Sequence, residues 1–297
     1  MEREDGILLR AEERMINWYP GHMAKSRRLL QEQLSRVDAV IELCDARVPM
    51  AGRNPDLSQM LGEKKRLLVL NKADLADERM TRAWTAYYRS RGIACRAFDS
   101  TRSRAKEITD SLAALTREMV ERLAARGVRK TVRAMVVGIP NVGKSTFVNR
   151  LNGNAIARTG DRPGVTRSNQ WVKITPYLEL LDTPGLLWPK MENQEEAIRL
   201  AYIGSINDQV LDTQLLAARL LCTLRELCPQ AVSERFHIRD LEGDGVALLE
   251  AAARGRGWLL PGGIADTERG ASVILDEFRS GKLGRLTLEK VPEEEKA

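Results

Sequence analysis

Residues 133–145 read Arg-Ala-Met-Val-Val-Gly-Ile-Pro-Asn-Val-Gly-Lys-Ser, and this stretch decides the fold. Its apolar first half predicts a β-strand, and the residues that follow, 144–152, predict an α-helix. The turn between them has the form Gly-x-x-x-x-Gly-Lys-Ser, in which the backbone N–H groups of a glycine-containing loop surround phosphate groups. We therefore predict an α/β domain built around a phosphate-binding loop, hereafter the P-loop.

The side chains of this loop predict a nucleotide phosphate site that includes Mg²⁺. Lys144 supplies a positive charge to the β- and γ-phosphate oxygens, and the Ser145 hydroxyl is a Mg²⁺ ligand. The candidate phosphate-binding residues are Asn141, Val142, Gly143, Lys144, Ser145 and Thr146.

Two further segments predict the γ-phosphate and Mg²⁺ contacts. Asp182-Thr-Pro-Gly185 follows an apolar run, which places the Asp182 carboxylate to hold Mg²⁺ and the Gly185 N–H to meet the γ-phosphate. Thr166, between the P-loop and this motif, is our candidate for the switch threonine that reaches Mg²⁺. Thr159 is the alternative.

Asn71-Lys-Ala-Asp74 predicts that the base is guanine. The Asp74 carboxylate can accept hydrogen bonds from guanine N1–H and N2–H₂, whereas adenine would leave that charge unpaired. Asn71 would brace the loop, and the stem of Lys72 would cover the base. Ser100 is a weaker candidate for the loop beside guanine O6.

The order of these motifs is circularly permuted, because the base-reading motif precedes the P-loop. Alternating strands and helices predict a largely parallel sheet covered on both faces. We predict a flexible extension over 1–14, a circularly permuted P-loop GTPase domain over 15–190, and a mostly α-helical, RNA-binding domain over 191–297. Predicted helices cover 77–90, 104–125, 194–227 with a restart at Ser205, 244–253 and 267–279, and a predicted hairpin pairs 171–174 with 178–181.

The composition limits the class of protein but does not identify a functional site. The net charge of +6 is modest for 297 residues, so it hints at a polyanionic partner without establishing one. The chain has no apolar stretch of 18 residues or more, and its four cysteines form no CxxC pair. We predict a monomeric, cytoplasmic protein with ordinary thiols and no membrane contact.

Several segments together resemble one family. They are Asn17-Trp-Tyr-Pro-Gly-His-Met23, Asp45-Ala-Arg-Val-Pro49, the P-loop, and Phe278-Arg-Ser-Gly-Lys-Leu-Gly-Arg285. This combination resembles ribosome biogenesis GTPase A of bacteria and its mitochondrial relative, over roughly residues 15–290. The resemblance implies binding of GTP and GDP, action in late maturation of the large (50S) ribosomal subunit, and stimulation of hydrolysis by its ribosomal RNA and proteins.

The same resemblance implies how hydrolysis proceeds. Many GTPases place a glutamine after the Asp-x-x-Gly motif to orient the attacking water, but here that residue is Leu186, which cannot polarise water. The resemblance implies His22 as the catalytic group, and a neutral imidazole suits that role. It also implies that Asn141 holds K⁺ near the bond between the β- and γ-phosphates.

Two alternatives stay open from the residues alone. Leu186 favours a GTP-regulated RNA-binding module in which hydrolysis is incidental, whereas the His22 segment favours a hydrolase. Arg254-Gly-Arg-Gly-Trp258 suits either RNA phosphate and base stacking or a solvated loop beside a core tryptophan. A signalling GTPase at a membrane surface has no lipidation motif to support it.

Overall fold

The computed structural model describes residues 28, 30–55, 57–62, 64–153, 170–183 and 193–293. The chain divides into two compact units. One unit, hereafter the GTPase unit after the domain predicted above, contains the described residues from 28 to 183 together with 287–293, and the helical unit contains 193–286. The helical domain predicted over 191–297 therefore differs from the helical unit, since residues 287–293 pack with the GTPase unit.

The GTPase unit is built on a six-stranded sheet with the order β3-β2-β1-β4-β6-β5. All neighbours are parallel except β5 and β6. The strands are β1 (Ala39–Asp45), β2 (Lys65–Asn71), β3 (Ala94–Ala97), β4 (Val132–Gly138), β5 (Gln170–Thr175) and β6 (Leu178–Asp182). This confirms the predicted sheet and its antiparallel hairpin.

Helices connect the parallel strands. They are α1 (Leu57–Leu61), α2 (Glu78–Ser90), α3 (Ala105–Ala124) and α4 (Lys144–Asn152), and residues 30–34 are also helical. The predicted helices over 77–90, 104–125 and 144–152 match α2, α3 and α4 to within one residue at each end.

Apolar strands explain the core. All seven residues of β1 are buried, as a parallel strand covered on both faces requires. One cluster of buried side chains joins Leu30 and Leu34 to Val40 and Met135, and another packs Trp84 and Tyr88 of α2 against β1 and β2. The sheet is therefore a rigid platform whose strand ends can position functional side chains.

The central strands place their carboxyl ends along one edge of the sheet. Asp45 pairs with Asn71 across β1 and β2, Leu43 pairs with Gly138 across β1 and β4, and Val136 pairs with Asp182 across β4 and β6. In open α/β sheets ligands bind in the crevice beyond these ends, where the strand order reverses. Here the reversal lies between β1 and β4.

The helical unit packs its helices around a central one. They are α5 (Gln194–Tyr202), α6 (Thr213–Leu227), α7 (Pro229–Phe236), α8 (Gly245–Gly255) and α9 (Thr267–Arg279), with a two-stranded hairpin of β7 (Leu259–Leu260) and β8 (Ile264–Ala265). Six residues of α6 are buried. Carboxylates of Asp212, Asp244 and Asp266 accept the N–H groups that begin α6, α8 and α9.

In this unit one sequence prediction was wrong, and two elements were not predicted. No helix restarts at Ser205, because its N–H bonds the Leu200 carbonyl and Gly204, at φ 74°, closes the preceding helix. A 3₁₀ turn at Asp208–Val210 follows, and α6 begins only at Thr213. Helix α7 and the β7–β8 hairpin were not predicted.

Trp258 belongs to the core. Its side chain is buried and its ring lies against Gly270, where a Cβ would come within 3.3 Å of it. Arg256 covers the ring, with its guanidinium carbon 5.2 Å from the ring centroid. Of the two interpretations of the Arg254–Trp258 segment, the one with a core tryptophan is therefore correct. This tryptophan does not offer a free face to an RNA base.

Candidate functional site: a guanine nucleotide pocket

Backbone conformation shapes the P-loop. Gly143 has φ 92°, and a Cβ on it would lie 2.8 Å from the Asn71 side-chain nitrogen. Gly138 is constrained by space instead, since a Cβ there would lie 2.5 Å from the Leu43 carbonyl oxygen. Asn141 also adopts a positive φ, 58°, which asparagine tolerates better than most residues. The loop then enters α4 at Lys144, so the helix N-terminus faces the loop, as anion binding requires.

Lys144 folds back onto the loop. Its Nζ donates to the carbonyls of Gly138, at 3.0 Å, and Ile139, at 2.7 Å. Burial lowers the pKa of Lys144 to about 7, an effect that Asp182 opposes and Lys72 reinforces. Phosphate oxygens would stabilise the charged form, because they replace neutral carbonyl acceptors with anionic ones.

Asp182 carries the features of a cation ligand. Its side chain is 2% exposed, and its Oδ1 atom is buried without a hydrogen-bond partner among the described residues. Burial raises the pKa of Asp182, while Lys144 and a hydrogen bond with Ser145 lower it. A carboxylate and a hydroxyl that meet at the P-loop are the oxygen ligands that Mg²⁺ prefers, so these residues fit the predicted ion.

The base-reading motif is bonded directly to the P-loop. Asn71 Nδ2 donates to the Val142 carbonyl at 2.8 Å, and Lys72 Nζ donates to the Asn141 carbonyl at 2.6 Å. Lys72 has φ 55°, an uncommon conformation for a lysine, and this turn directs the chain toward Asp74. Motifs far apart in the sequence therefore lie side by side at one edge of the sheet.

Ser100 braces this motif. Its hydroxyl donates to Asn71 Oδ1 at 2.7 Å, and the Ala73 N–H bonds the Phe98 carbonyl at 3.2 Å. The Asp74 carboxyl is open to solvent at the pocket, and burial of part of it, together with the nearby Asp99 charge, raises its pKa. A ligand that donates two hydrogen bonds to Asp74 would stabilise the carboxylate form.

Comparisons with known proteins identify the family. A family model described as "50S ribosome-binding GTPase" matches residues 133–228. Ribosome biogenesis GTPase A of Bacillus cereus is 44% identical over 282 residues, which cover 94% of this chain and 95% of that protein. The chain belongs to the ribosome biogenesis GTPase A family.

Other relatives agree with this assignment. Mitochondrial ribosome-associated GTPase 1 of mouse is 38% identical over 220 residues, covering 71% of this chain and 67% of that protein. The solved structure of the YlqF protein of Thermotoga maritima bound to GNP is 26% identical, with a TM-score of 0.68 over 90% of this chain and 98% of that one. The P-loop GTPase fold of this ribosome biogenesis GTPase A member is thus shared with a nucleotide-bound relative.

The structure of this family member also shows a network that the sequence motifs did not predict. The Asp45 carboxylate accepts Arg47 N–H groups at 2.9 Å from Nε and 2.8 Å from Nη2, and Lys72 Nζ lies 3.4 Å from its Oδ2. Burial alone would raise the pKa of Asp45, but Arg47 and Lys72 outweigh burial and hold it well below its ordinary value. Asp45 and Arg47 stood in the sequence only as part of the family resemblance.

Several predicted site residues lie outside the described residues. They are His22, Thr166 with its alternative Thr159, Gly185 and Leu186. Val142 is buried beneath the P-loop, and Thr146 occupies the first turn of α4. The structure therefore brings together both ends of the predicted nucleotide site, and the roles of individual residues remain predictions.

Proposed function

We propose that this GTPase hydrolyses GTP to GDP and phosphate while acting in late maturation of the 50S ribosomal subunit, and that the ribosomal particle stimulates it. The observation that carries the proposal is the direct bonding of the Asn71–Asp74 motif to the P-loop. The names of its relatives supply the ribosomal context. We propose that it works as a monomer in the cytoplasm.

The predicted site residues divide the work of binding and charge stabilisation. Asp74 reads the base, and Lys144 with the P-loop N–H groups neutralises the phosphates. Ser145, Asp182 and Thr166 would hold Mg²⁺, which supplies positive charge to the phosphates. We propose that Asn141 would hold K⁺, which adds charge where the leaving oxygen becomes negative.

Catalysis of water attack is assigned to His22. Support comes from the Asn17–Met23 segment around His22, which resembles that of ribosome biogenesis GTPase A, and a catalytic group is needed because the side chain of Leu186, after Gly185, cannot orient water. A positioned general base contributes about 10²–10⁴-fold to rate. His22→Ala should therefore lower particle-stimulated GTP turnover by about 100-fold or more while leaving GDP affinity unchanged.

The chain offers a matched control for this test, since His237 is its other histidine. His237 is exposed at the C-terminus of α7 with φ 55°, and asparagine tolerates that conformation. His237→Asn should keep the stimulated rate at saturating concentrations of large subunits, where a weaker RNA contact at this residue does not limit turnover. Turnover of His22→Ala equal to that of His237→Asn on purified large subunits would remove the catalytic assignment.

The second candidate is a GTP-regulated RNA-binding module, which Leu186 favours. GTP hydrolysis measured with and without purified large subunits separates the two. A rate that the particles do not change, combined with particle binding that depends on GTP, would favour the module. Stimulated turnover supports the hydrolase.

RNA contact is assigned to the helical unit. Its surface has a concavity of about 730 Å³ whose lining includes Arg235, His237, Arg256 and Lys282. Glu277 accepts hydrogen bonds from Arg235 at 2.6 and 2.8 Å, and it lies 3.7 Å from Arg256, so both guanidinium groups are held in place. Cations fixed along a concave surface suit phosphodiester groups.

Exposed Lys282 provides the test of this surface. Lys282→Ala should weaken binding to ribosomal RNA and make it less salt-dependent, because a lysine–phosphate contact releases a counterion. Lys106→Ala makes the same charge change at an exposed position of α3, and it should alter neither the RNA affinity nor its salt dependence. Equal salt slopes for the two variants would contradict the assignment.

A further inference from the structure

The last described residues of the chain pack with the GTPase unit. Residues 287–293, hereafter the C-terminal strap, follow the helical unit directly and pack with the GTPase unit. Thr287 Oγ1 accepts the Asp77 N–H at 3.2 Å, and the Leu288 N–H donates to the Arg47 carbonyl at 2.8 Å. The strap therefore contacts the start of α2 and the loop that follows β1.

Glu289 makes the strongest of these contacts. Its side chain is 6% exposed, and its carboxylate accepts the Met50 N–H at 2.6 Å and the Ala51 N–H at 3.0 Å. Its carbonyl accepts the Trp84 indole N–H at 3.2 Å. A buried carboxylate with two backbone donors fixes the geometry of both, because charged hydrogen bonds are short and directional.

The loop that Glu289 holds, residues 45–51, also supports the base reader. Arg47 is 1% exposed, and its backbone N–H and its guanidinium both donate to Asp45, whose carboxylate lies 3.4 Å from Lys72 Nζ. The Ala46 N–H bonds the Asn71 carbonyl at 2.8 Å. Loop 45–51 is therefore tied both to the side chain of Lys72 and to the backbone of Asn71.

The contacts form a continuous path from the strap to the P-loop. Glu289 and Leu288 hold loop 45–51, in which Arg47 holds Asp45. Asp45 in turn lies beside Lys72, whose Nζ donates to the Asn141 carbonyl. A strap that merely covered apolar surface would need only its contacts with α2, such as the packing of Val291 near Trp84. The carboxylate of Glu289 is directed at loop 45–51 instead.

We infer that the C-terminal strap is part of the guanine nucleotide site, and that Glu289 is a positioning residue which acts through Arg47 and Asp45 on Lys72. The inference deepens the proposed function, since the affinity that the strap sets is for guanine nucleotides. Loss of the Glu289 carboxylate frees loop 45–51, and the base reader then binds less tightly.

The test is a double-mutant cycle read out as affinity for a fluorescent GDP analogue. Glu289→Ala should raise the dissociation constant by about tenfold in the otherwise unchanged chain. In a Lys72→Ala background the same change should alter it by less than about twofold, because the path is already broken. Lys290→Ala, an exposed change on the same strap, should have no effect in either background.

Three outcomes would overturn the inference. They are an unchanged affinity of Glu289→Ala, equal losses with and without Lys72, and an equal loss for Lys290→Ala. If Glu289→Ala does not fold, as thermal unfolding would show, Glu289→Gln carries the same cycle with a smaller expected loss, because its amide keeps one acceptor oxygen. Failure of the unsubstituted chain to bind GDP would instead contradict the proposed function.

Discussion

The side-chain nitrogen of Asn71 lies 2.8 Å from the carbonyl oxygen of Val142, although 71 positions separate the two residues in the chain. Ser100 completes the arrangement by donating to the Asn71 oxygen. The amide of one asparagine therefore joins the ends of β2 and β3 to the P-loop. We therefore expect binding at one end of the nucleotide pocket to be coupled to the geometry of the other.

Gly143→Ala should break this coupling. A Cβ at Gly143 would lie 2.8 Å from Asn71 Nδ2, and φ 92° is strained for alanine. We expect a loss of about 2–3 kcal/mol in unfolding free energy and a GDP affinity at least about tenfold weaker. Calorimetric unfolding and GDP titration measure both.

Gly153→Ala is the control for that substitution. Gly153 has φ 77° at the end of α4, but among the described residues no atom lies within 4 Å of a Cβ placed there. It should cost about 1 kcal/mol of stability and leave GDP affinity unchanged. Equal nucleotide affinities for the two variants would show that the Asn71 bridge is not needed for binding.

Asp74→Asn should exchange guanine for xanthine specificity. The amide donates where the carboxylate accepts, which matches the additional oxygen of xanthine. We expect a preference for xanthosine over guanosine triphosphate in competition binding. Asp110→Asn, at an exposed position of α3, should keep the preference for guanine. If Asp74→Asn keeps it too, base reading lies elsewhere.

The motifs of the nucleotide site could be predicted from the sequence because each one consists of residues that are close together in the chain. Strand β4, the P-loop and α4 are consecutive, and the end of β2 and the Asn71 motif are consecutive as well. The network around Asp45 could not be read in this way. Lys72 has its partner in Asp45 only because β1 and β2 pair in register, and Glu289 reaches loop 45–51 from more than 200 positions away.

Local sequence patterns also gave wrong or ambiguous predictions where one element ends and the next begins. Ser205 resembles a helix start, but its backbone closes the helix before it. Pro229 resembles a helix stop and is also the first residue of α7. Trp258 beside two arginines was ambiguous, because the sequence does not show which face of a segment is buried.

Asn141→Gly should abolish stimulation of GTP turnover by K⁺ if Asn141 holds that ion. Glycine keeps the φ of 58° without strain, so the P-loop path is preserved while the side chain is lost. We expect turnover in K⁺ to fall to the level seen in Na⁺, with Mg²⁺ dependence retained. A K⁺ to Na⁺ rate ratio equal to that of the unsubstituted chain would argue against the assignment.

Lys144 should make GDP binding and stability depend on pH with opposite signs. In the free protein burial lowers its pKa to about 7, whereas an unfolded lysine titrates near 10.4. The unfolded chain then binds more protons between these values. The free energy of unfolding of the free protein should therefore increase steadily as the pH rises through that interval.

Phosphate oxygens favour the charged amine, so the pKa of Lys144 rises when GDP binds. Binding should take up a proton above pH 7, and the dissociation constant should increase by up to about tenfold per pH unit from roughly pH 7.5 to 9. Titration calorimetry in buffers of different ionisation enthalpy measures this uptake directly. Lys144→Arg, whose guanidinium stays charged, should bind without proton uptake, and proton uptake by that variant equal to the unsubstituted chain's would assign the effect to another group.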